Sequence, residues 1–158
     1  KTGKHKEHVT YERAALIKAC LNREIRTFNP IQETEITMSF DQSNTNIGYR
    51  LGSLFAVLER IQGDVSPGLN TTIRDSYFGS ASSTPAAVLP TLMRRSQNHM
   101  TKLRKEKPGL YVIRDKQIQA IHGAGVDGKI GYPSVLSLSD QGRFVIGYYQ
   151  QRQEFFKP

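Results

Sequence analysis

Along most of this chain apolar residues recur at helical spacing, in about six separate stretches, and almost nowhere do they alternate as a strand requires. Residues 46–62 carry the clearest pattern. Ile47, Leu51, Leu54, Phe55, Leu58 and Ile61 fall on one stripe at i, i+3 and i+4 steps. Beside it runs a stripe of small residues, Gly48, Gly52 and Ala56. Glycine inside a helix costs up to ~1 kcal/mol against alanine, so the pair predicts a neighbouring helix packed very close. Gly63 is read as the stop.

The remaining elements follow from the same rules. Residues 10–28 form a first helix with Leu16, Ile17, Cys20, Leu21 and Ile25 on its apolar face, ended by Pro30. Residues 29–45 are polar and read as a linker, with a short strand from Glu35 to Phe40 as the alternative. Ser66-Pro67 predicts the start of a helix that Gly79 and the "SASS" run end; Thr84-Pro85 opens one that reaches about Lys105, bent at Pro90. A further helix spans Leu110 to about His122. The last begins near Ser137, where Asp140 completes a capping box, and runs to Phe156. The expected fold is all-α: a bundle of about five to six helices over residues 46–158, with residues 1–9 as an extended or disordered basic terminus.

A chain of 158 residues suits one domain. Lys and Arg outnumber Asp and Glu by 22 to 14, for a net charge of +8. That balance favours an anionic partner, nucleic acid first, an acidic protein or membrane surface second. A single cysteine, Cys20, allows no intrachain disulfide, which suits a reducing cytoplasm. No apolar run approaches the ~20 residues that span a bilayer. The chain opens on Lys1 in a polar stretch, which reads as part of a longer protein.

"IHGAGVDGKIGYP", residues 121–133, fits two phosphate-binding patterns, G-x-G-x-x-G at Gly123, Gly125 and Gly128, and most of G-x-x-x-x-G-K-[ST]. Both need a strand before the glycines and a helix straight after. Here a polar helix precedes, Gly131 and Pro133 follow, and Ile130 stands where Ser or Thr would hold magnesium. The segment is read as a flexible connection. His5 and His8 could form half a metal site but stand in a charged terminus without further ligands. His99 and His122 are isolated, and Asp64 and Asp75 with Glu59 have no active-site context. No enzyme, metal or cofactor is expected.

The basic residues do show order. On the helix over 85–105, Leu89, Leu92, Met100 and Leu103 share one face, with Arg94, Arg95, Asn98, Lys102 and Lys105 across from them and no acidic residue in that arc. Such a row can neutralise phosphates; a solvated face opposite a core gives the same pattern. In the last helix Phe144, Tyr148 and Phe155 share a face, read as core packing, which leaves Arg143 as the exposed contact.

Three stretches, "NIGYRLGSLFAVLERIQ", "NTTIRDSYFGSASSTPAAVLPTL" and "LSLSDQGRFVIGYYQQRQEFF", resemble the C-terminal region of the large subunit of the subtype I-C CRISPR interference complex. The resemblance runs from about residue 12 to the end. It implies a helical bundle equivalent to the small subunits of related complexes, with the small subunit itself translated from inside the large-subunit gene. It implies a bacterial, RNA-guided surveillance complex whose missing N-terminal part reads the motif flanking the target. Such bundles hold guide RNA and unwound foreign DNA beside other interference subunits, and a separate helicase-nuclease cuts. The motifs "GYRLG", "TIRD", "QGRF" and "QQRQ" place Arg50, Arg74, Arg143 and Arg152 in family positions. Ser53, Ser76 and Gln150 depart from the pattern, where basic residues or histidine are expected. The expected nucleic-acid contacts are thus Arg50, Arg74, Arg94, Arg95, Lys102, Lys105, Arg143 and Arg152. The alternative is a protein-interaction module for complex assembly or recruitment of the helicase-nuclease. Met38 is a candidate internal start, for a product of 121 residues (158 − 37).

Overall fold

The computed structural model describes residues 41, 43–123 and 130–157. The first expected helix, nearly all of the linker, Met38, Gly125, Gly128 and Lys129 lie outside the described residues. A compact unit spans Met38–Pro158. Among its described residues there are five helices and no strand: α1 (Ile47–Val65), α2 (Ile73–Ser83), α3 (Pro85–Glu106), α4 (Pro108–Gly123) and α5 (Leu138–Glu154). The all-α expectation holds.

Helix α1 is the hub and touches each of the other four. Its middle is buried on every side: Leu51, Leu54, Phe55, Val57, Leu58 and Ile61 are all within the core. A fully buried side chain of this kind contributes roughly 1.5–3 kcal/mol through loss of apolar surface to water. The core continues through four rings, Phe55, Phe78, Phe144 and Tyr148, which meet edge-on or tilted at centroid separations of 5.0 to 6.0 Å. Phe144 and Tyr148 pack inward, as their shared face predicts.

The glycines explain how α5 reaches that core. A Cβ on Gly48 would collide with the backbone carbonyl of Asp140, and one on Gly52 with that of Phe144. The relation is reciprocal, since a Cβ on Gly147 of α5 would strike the carbonyl of Tyr49. The two helices therefore lie backbone against backbone along this seam. Ser53, wholly buried, points its hydroxyl at the carbonyls of Tyr49 (3.0 Å) and Gly147 (3.2 Å). A basic residue at position 53 has no room here. At one end of the seam the Tyr49 hydroxyl donates to Gln150 (2.6 Å) and accepts from the Asp41 amide (2.8 Å).

Helix ends depart from the expectation in three places. Helix α1 passes through Gly63 and stops at Val65, where the Ser66 amide still reaches the Gln62 carbonyl (2.9 Å). Ser66-Pro67 starts no helix; Gly68, at φ +82°, turns the chain instead and leaves Leu69 in a loop. The next helix begins only where the Thr72 amide finds the Asp75 carboxylate (2.7 Å). It then runs through Gly79 to Ser83, held by the buried Ala81. Helix α3 continues unbroken through Pro90. Ser137 caps α5 as predicted, accepting from the Asp140 amide (3.1 Å).

The described part of the α4–α5 connection is anchored rather than loose, a correction to the flexible reading. Ile130 and Leu136 are buried, the Leu136 amide donates to Ser83 (2.9 Å), and the Ala86 amide donates to Pro133 (3.2 Å). Helix α4 precedes the glycine pattern, and among the described residues no helix starts between it and Leu138. Among those residues both contexts a phosphate loop needs are absent.

Two glycines of α1 separate the effects. Gly52→Ala drives a methyl into the α5 backbone and is expected to cost about 3 kcal/mol or more, at the upper end of overpacking. A Cβ at Gly63 meets nothing within 4 Å, so Gly63→Ala should stabilise by up to ~1 kcal/mol. Urea unfolding midpoints read both, and equal effects would contradict the seam.

Candidate nucleic-acid interface

Electrostatics divides the cations of this fold into two groups. Some are consumed internally. Arg50 is 3% exposed, its Nη1 donates to the Ile121 carbonyl at the end of α4 (3.0 Å), and burial pushes its pKa down. It stitches α1 to α4 and does not reach the outside. Asp64 gathers a second set, which runs from buried Arg114 to exposed Lys107. Arg114 donates Nε to its carboxylate (2.7 Å), Arg60 pairs with the other oxygen (3.1 Å), and Lys107 donates to its backbone carbonyl (2.8 Å). The Arg114 guanidinium also lies over the Phe155 ring at 5.0 Å, fastening the C-terminal turn. Asp64 is therefore a structural hub that its sequence context did not reveal.

The other group stands outside. On α3 the sequence wheel holds: Leu89, Leu92 and Leu103 are buried and Met100 packs against the core, while Arg94, Arg95, Asn98, Lys102 and Lys105 are exposed. One carboxylate does enter the arc, since Glu106 lies 3.9 Å from Lys102 with both side chains half exposed. A pair that loose and wet is worth little and leaves the lysine available. Arg104 and Lys105, in the last turn, also complement the helix dipole.

Tyrosines join this row, and the sequence reading missed them. Arg95 of α3 donates to the Tyr77 hydroxyl of α2 (3.3 Å) and lies 6.0 Å from its ring centre. One turn back along α2, Arg74 donates to the Tyr149 hydroxyl of α5 (2.9 Å) and sits over the rings of Tyr148 and Tyr149 at 5.7 and 5.8 Å. Contact with Tyr148 and then Tyr149 raises the Arg74 pKa. Arg104, absent from the expected set, covers Tyr111 of α4 at 5.8 Å. Guanidinium–phenol pairs thus mark α5–α2, α2–α3 and α3–α4.

Of the eight expected contacts, Arg74 lies on α2 and Arg94, Arg95, Lys102 and Lys105 on α3; Arg74 and Arg95 are the two that rest on tyrosines. Arg143 is exposed on α5 and 3.8 Å from Asp140. Arg152 is half-buried, donates to the Tyr148 hydroxyl (3.3 Å), and lines a separate cleft of about 220 Å³ with Arg60, Phe155 and Phe156. Tyr148 is itself held by Glu59 (2.6 Å); burial and that hydrogen bond both push its phenol pKa up. Among the described residues no cluster of His, Cys, Asp and Glu could hold a metal, and no helix is long and apolar enough to cross a membrane.

Among its described residues the unit is all-α, with exposed cations on α3 and guanidinium–tyrosine contacts between neighbouring helices. The particular lineage comes from comparison with known families. The model of the CRISPR-associated protein (Cas_Csd1) family matches residues 2–156, and the chain belongs to that family. No curated protein matches the chain.

The internal and external cations should respond differently to mutation. Asp64→Ala strands Arg114, whose side chain is only 6% exposed, and is expected to cost about 3 kcal/mol. Lys105→Ala, on the outside, should stay within ~0.5 kcal/mol. Chemical denaturation of both variants checks this.

Proposed function

We propose that this chain is a non-catalytic module that holds nucleic acid within a subtype I-C CRISPR surveillance complex of the bacterial cytoplasm. The carrying observation is the exposed row Arg94, Arg95, Lys102 and Lys105 with its guanidinium–tyrosine pairs. In such a complex the guide RNA reads sequence by base pairing, and the protein supplies a positive track for the backbone. Lysines and arginines bind phosphates and release counterions, while Tyr149, the exposed member of the tyrosine set, suits an unpaired base at about 1–3 kcal/mol per stacked base. The bound strand is foreign DNA or guide RNA, and neighbouring interference subunits and a helicase-nuclease are the protein partners. Membership of the CRISPR-associated family supports this reading. No reaction is assigned to the chain.

The test is a salt titration of single-stranded DNA binding. The combined change Arg94→Ala, Arg95→Ala and Lys102→Ala removes three phosphate partners. It should flatten the slope of log K against log salt by about 2, with helicity by circular dichroism unchanged. Binding at low salt equal to that of the parent would overturn the assignment. Lost assembly with intact DNA binding would favour the protein-interaction reading instead.

The compact unit begins at Met38, which supports a second product starting there, a small subunit of 121 residues (158 − 37) translated from the same gene. Intact-mass spectrometry of complex expressed from the native gene should find this shorter chain beside the longer one. A native complex containing only the longer chain would refute it.

A further inference from the structure

A cleft of about 220 Å³ opens where α1 and α5 both end. Helix α1 supplies Glu59, Arg60 and Gly63 to its lining, and α5 with the turn after it supplies Arg152, Phe155 and Phe156. Pockets for drug-sized ligands run to about 300–1,000 Å³, so this one has room for a single ring system. Its rim is apolar: Phe156 is 68% exposed and Leu69, on the loop after α1, 45%. Arg60 holds its guanidinium over the Phe155 and Phe156 rings at 5.7 and 5.8 Å. Arg60 and Arg114 share the one carboxylate of Asp64, at 3.1 and 2.7 Å. Arg152 donates to a phenol, that of Tyr148. With Glu59 included, three guanidiniums face two carboxylates, and a positive surplus remains beside an apolar surface. That combination suits an anion carrying a flat ring.

Two observations say which one. Tyr148 joins the cleft to the exposed cations, since Arg152 donates to its hydroxyl (3.3 Å) while Arg74 of α2 lies over its ring at 5.7 Å. One aromatic ring thus separates the cleft from Arg74 and its exposed partner Tyr149. Glu59, in turn, brings acceptors. Its carboxylate receives the Tyr148 hydroxyl (2.6 Å) and, at longer range, that of Thr72 (3.4 Å), and a carboxylate offers about four lone-pair sites. The remaining ones suit the amino group or ring N–H at the edge of a nucleobase, as when Glu accepts from cytosine N4. A leucine or phenylalanine side chain from a protein would leave them unmet. We propose, resting on the nucleic-acid reading above, that the cleft receives one unpaired base of the bound strand. Its flat face lies against Phe156, its polar edge donates to Glu59, and its phosphate meets Arg152. Proteins that extrude bases from a stack hold them by the same pairing of aromatic contact and edge hydrogen bonds.

Gly63 supplies the test. It lines the cleft, and a Cβ there meets nothing within 4 Å, so Gly63→Leu fills the space while favouring the helix. Binding by the full chain is compared for two single strands of equal length, an oligodeoxycytidylate and an abasic deoxyribose-phosphate oligomer. Gly63→Leu should weaken the first about fivefold or more, the lower end of what one stacked base contributes. It should leave the second unchanged, with the salt slope kept for both because no phosphate partner is lost. Phe156→Ala, at an exposed ring, should show the same split. Gly79→Leu, at an exposed position of α2 where a Cβ also meets nothing within 4 Å, should change neither. Circular dichroism verifies that each variant is folded. If Gly63→Leu and Phe156→Ala both match the parent on oligodeoxycytidylate, or lose affinity equally for both strands, the proposal is overturned. Binding of a capped Asp-Phe-Asp peptide that Gly63→Leu abolishes would overturn it too, and assign the cleft to a protein. A parent chain that binds neither strand sinks the nucleic-acid reading and the cleft with it, whereas DNA binding indifferent to Gly63 sinks the cleft alone.

Discussion

Everything in this bundle depends on one contact, the bare-backbone seam between α1 and α5. Three positions without side chains, Gly48, Gly52 and Gly147, let two helices approach until each glycine faces a carbonyl of the other. At ordinary helix separations Phe144 and Tyr148 would stand away from Phe55. The aromatic cluster would open, and the van der Waals contacts that give a packed core its uniqueness would be lost. The intrinsic helix penalty of the glycines is thereby offset by contacts that no larger residue permits.

A second principle organises the charges. In a molecule this basic, each buried cation must find a partner and each exposed one is available to others. Arg50 and Arg114 are drawn inside, where a carbonyl and a carboxylate receive them. Arg74, Arg95 and Arg104 instead lie against tyrosine rings, which positions the guanidinium without neutralising it. Phenol, unlike carboxylate, leaves the positive potential of the surface in place.

How much of this was legible in the sequence depends on range. The α1 stripe, its close neighbour and the split of α3 into core and cationic faces follow from spacing within one helix, and the structure bears them out. Helix ends at Gly63, at Ser66-Pro67 and at Gly79 were misjudged, because local punctuation competes with burial and capping that only the assembled fold supplies. Arg50 looked like an outward residue in a family motif, since nothing local tells that α1 is surrounded. The tyrosine partners were invisible for the same reason: Arg74 and Tyr149 are 75 positions apart, and Asp64 and Arg114 are 50 apart.

The seam also sets a timetable. It joins the first described helix, Ile47–Val65, to the last, Leu138–Glu154, so its contacts are among the longest-range in the molecule. Non-local contacts of this kind slow folding, because a large loop must close before it is rewarded. As the chain leaves the ribosome, α1 emerges with its apolar residues uncovered and waits for α5 to be made. Birth of this protein therefore passes through a stage when its most oily helix has α2, α3 and α4 to pack on but its α5 side still bare, a window in which chaperones have a client.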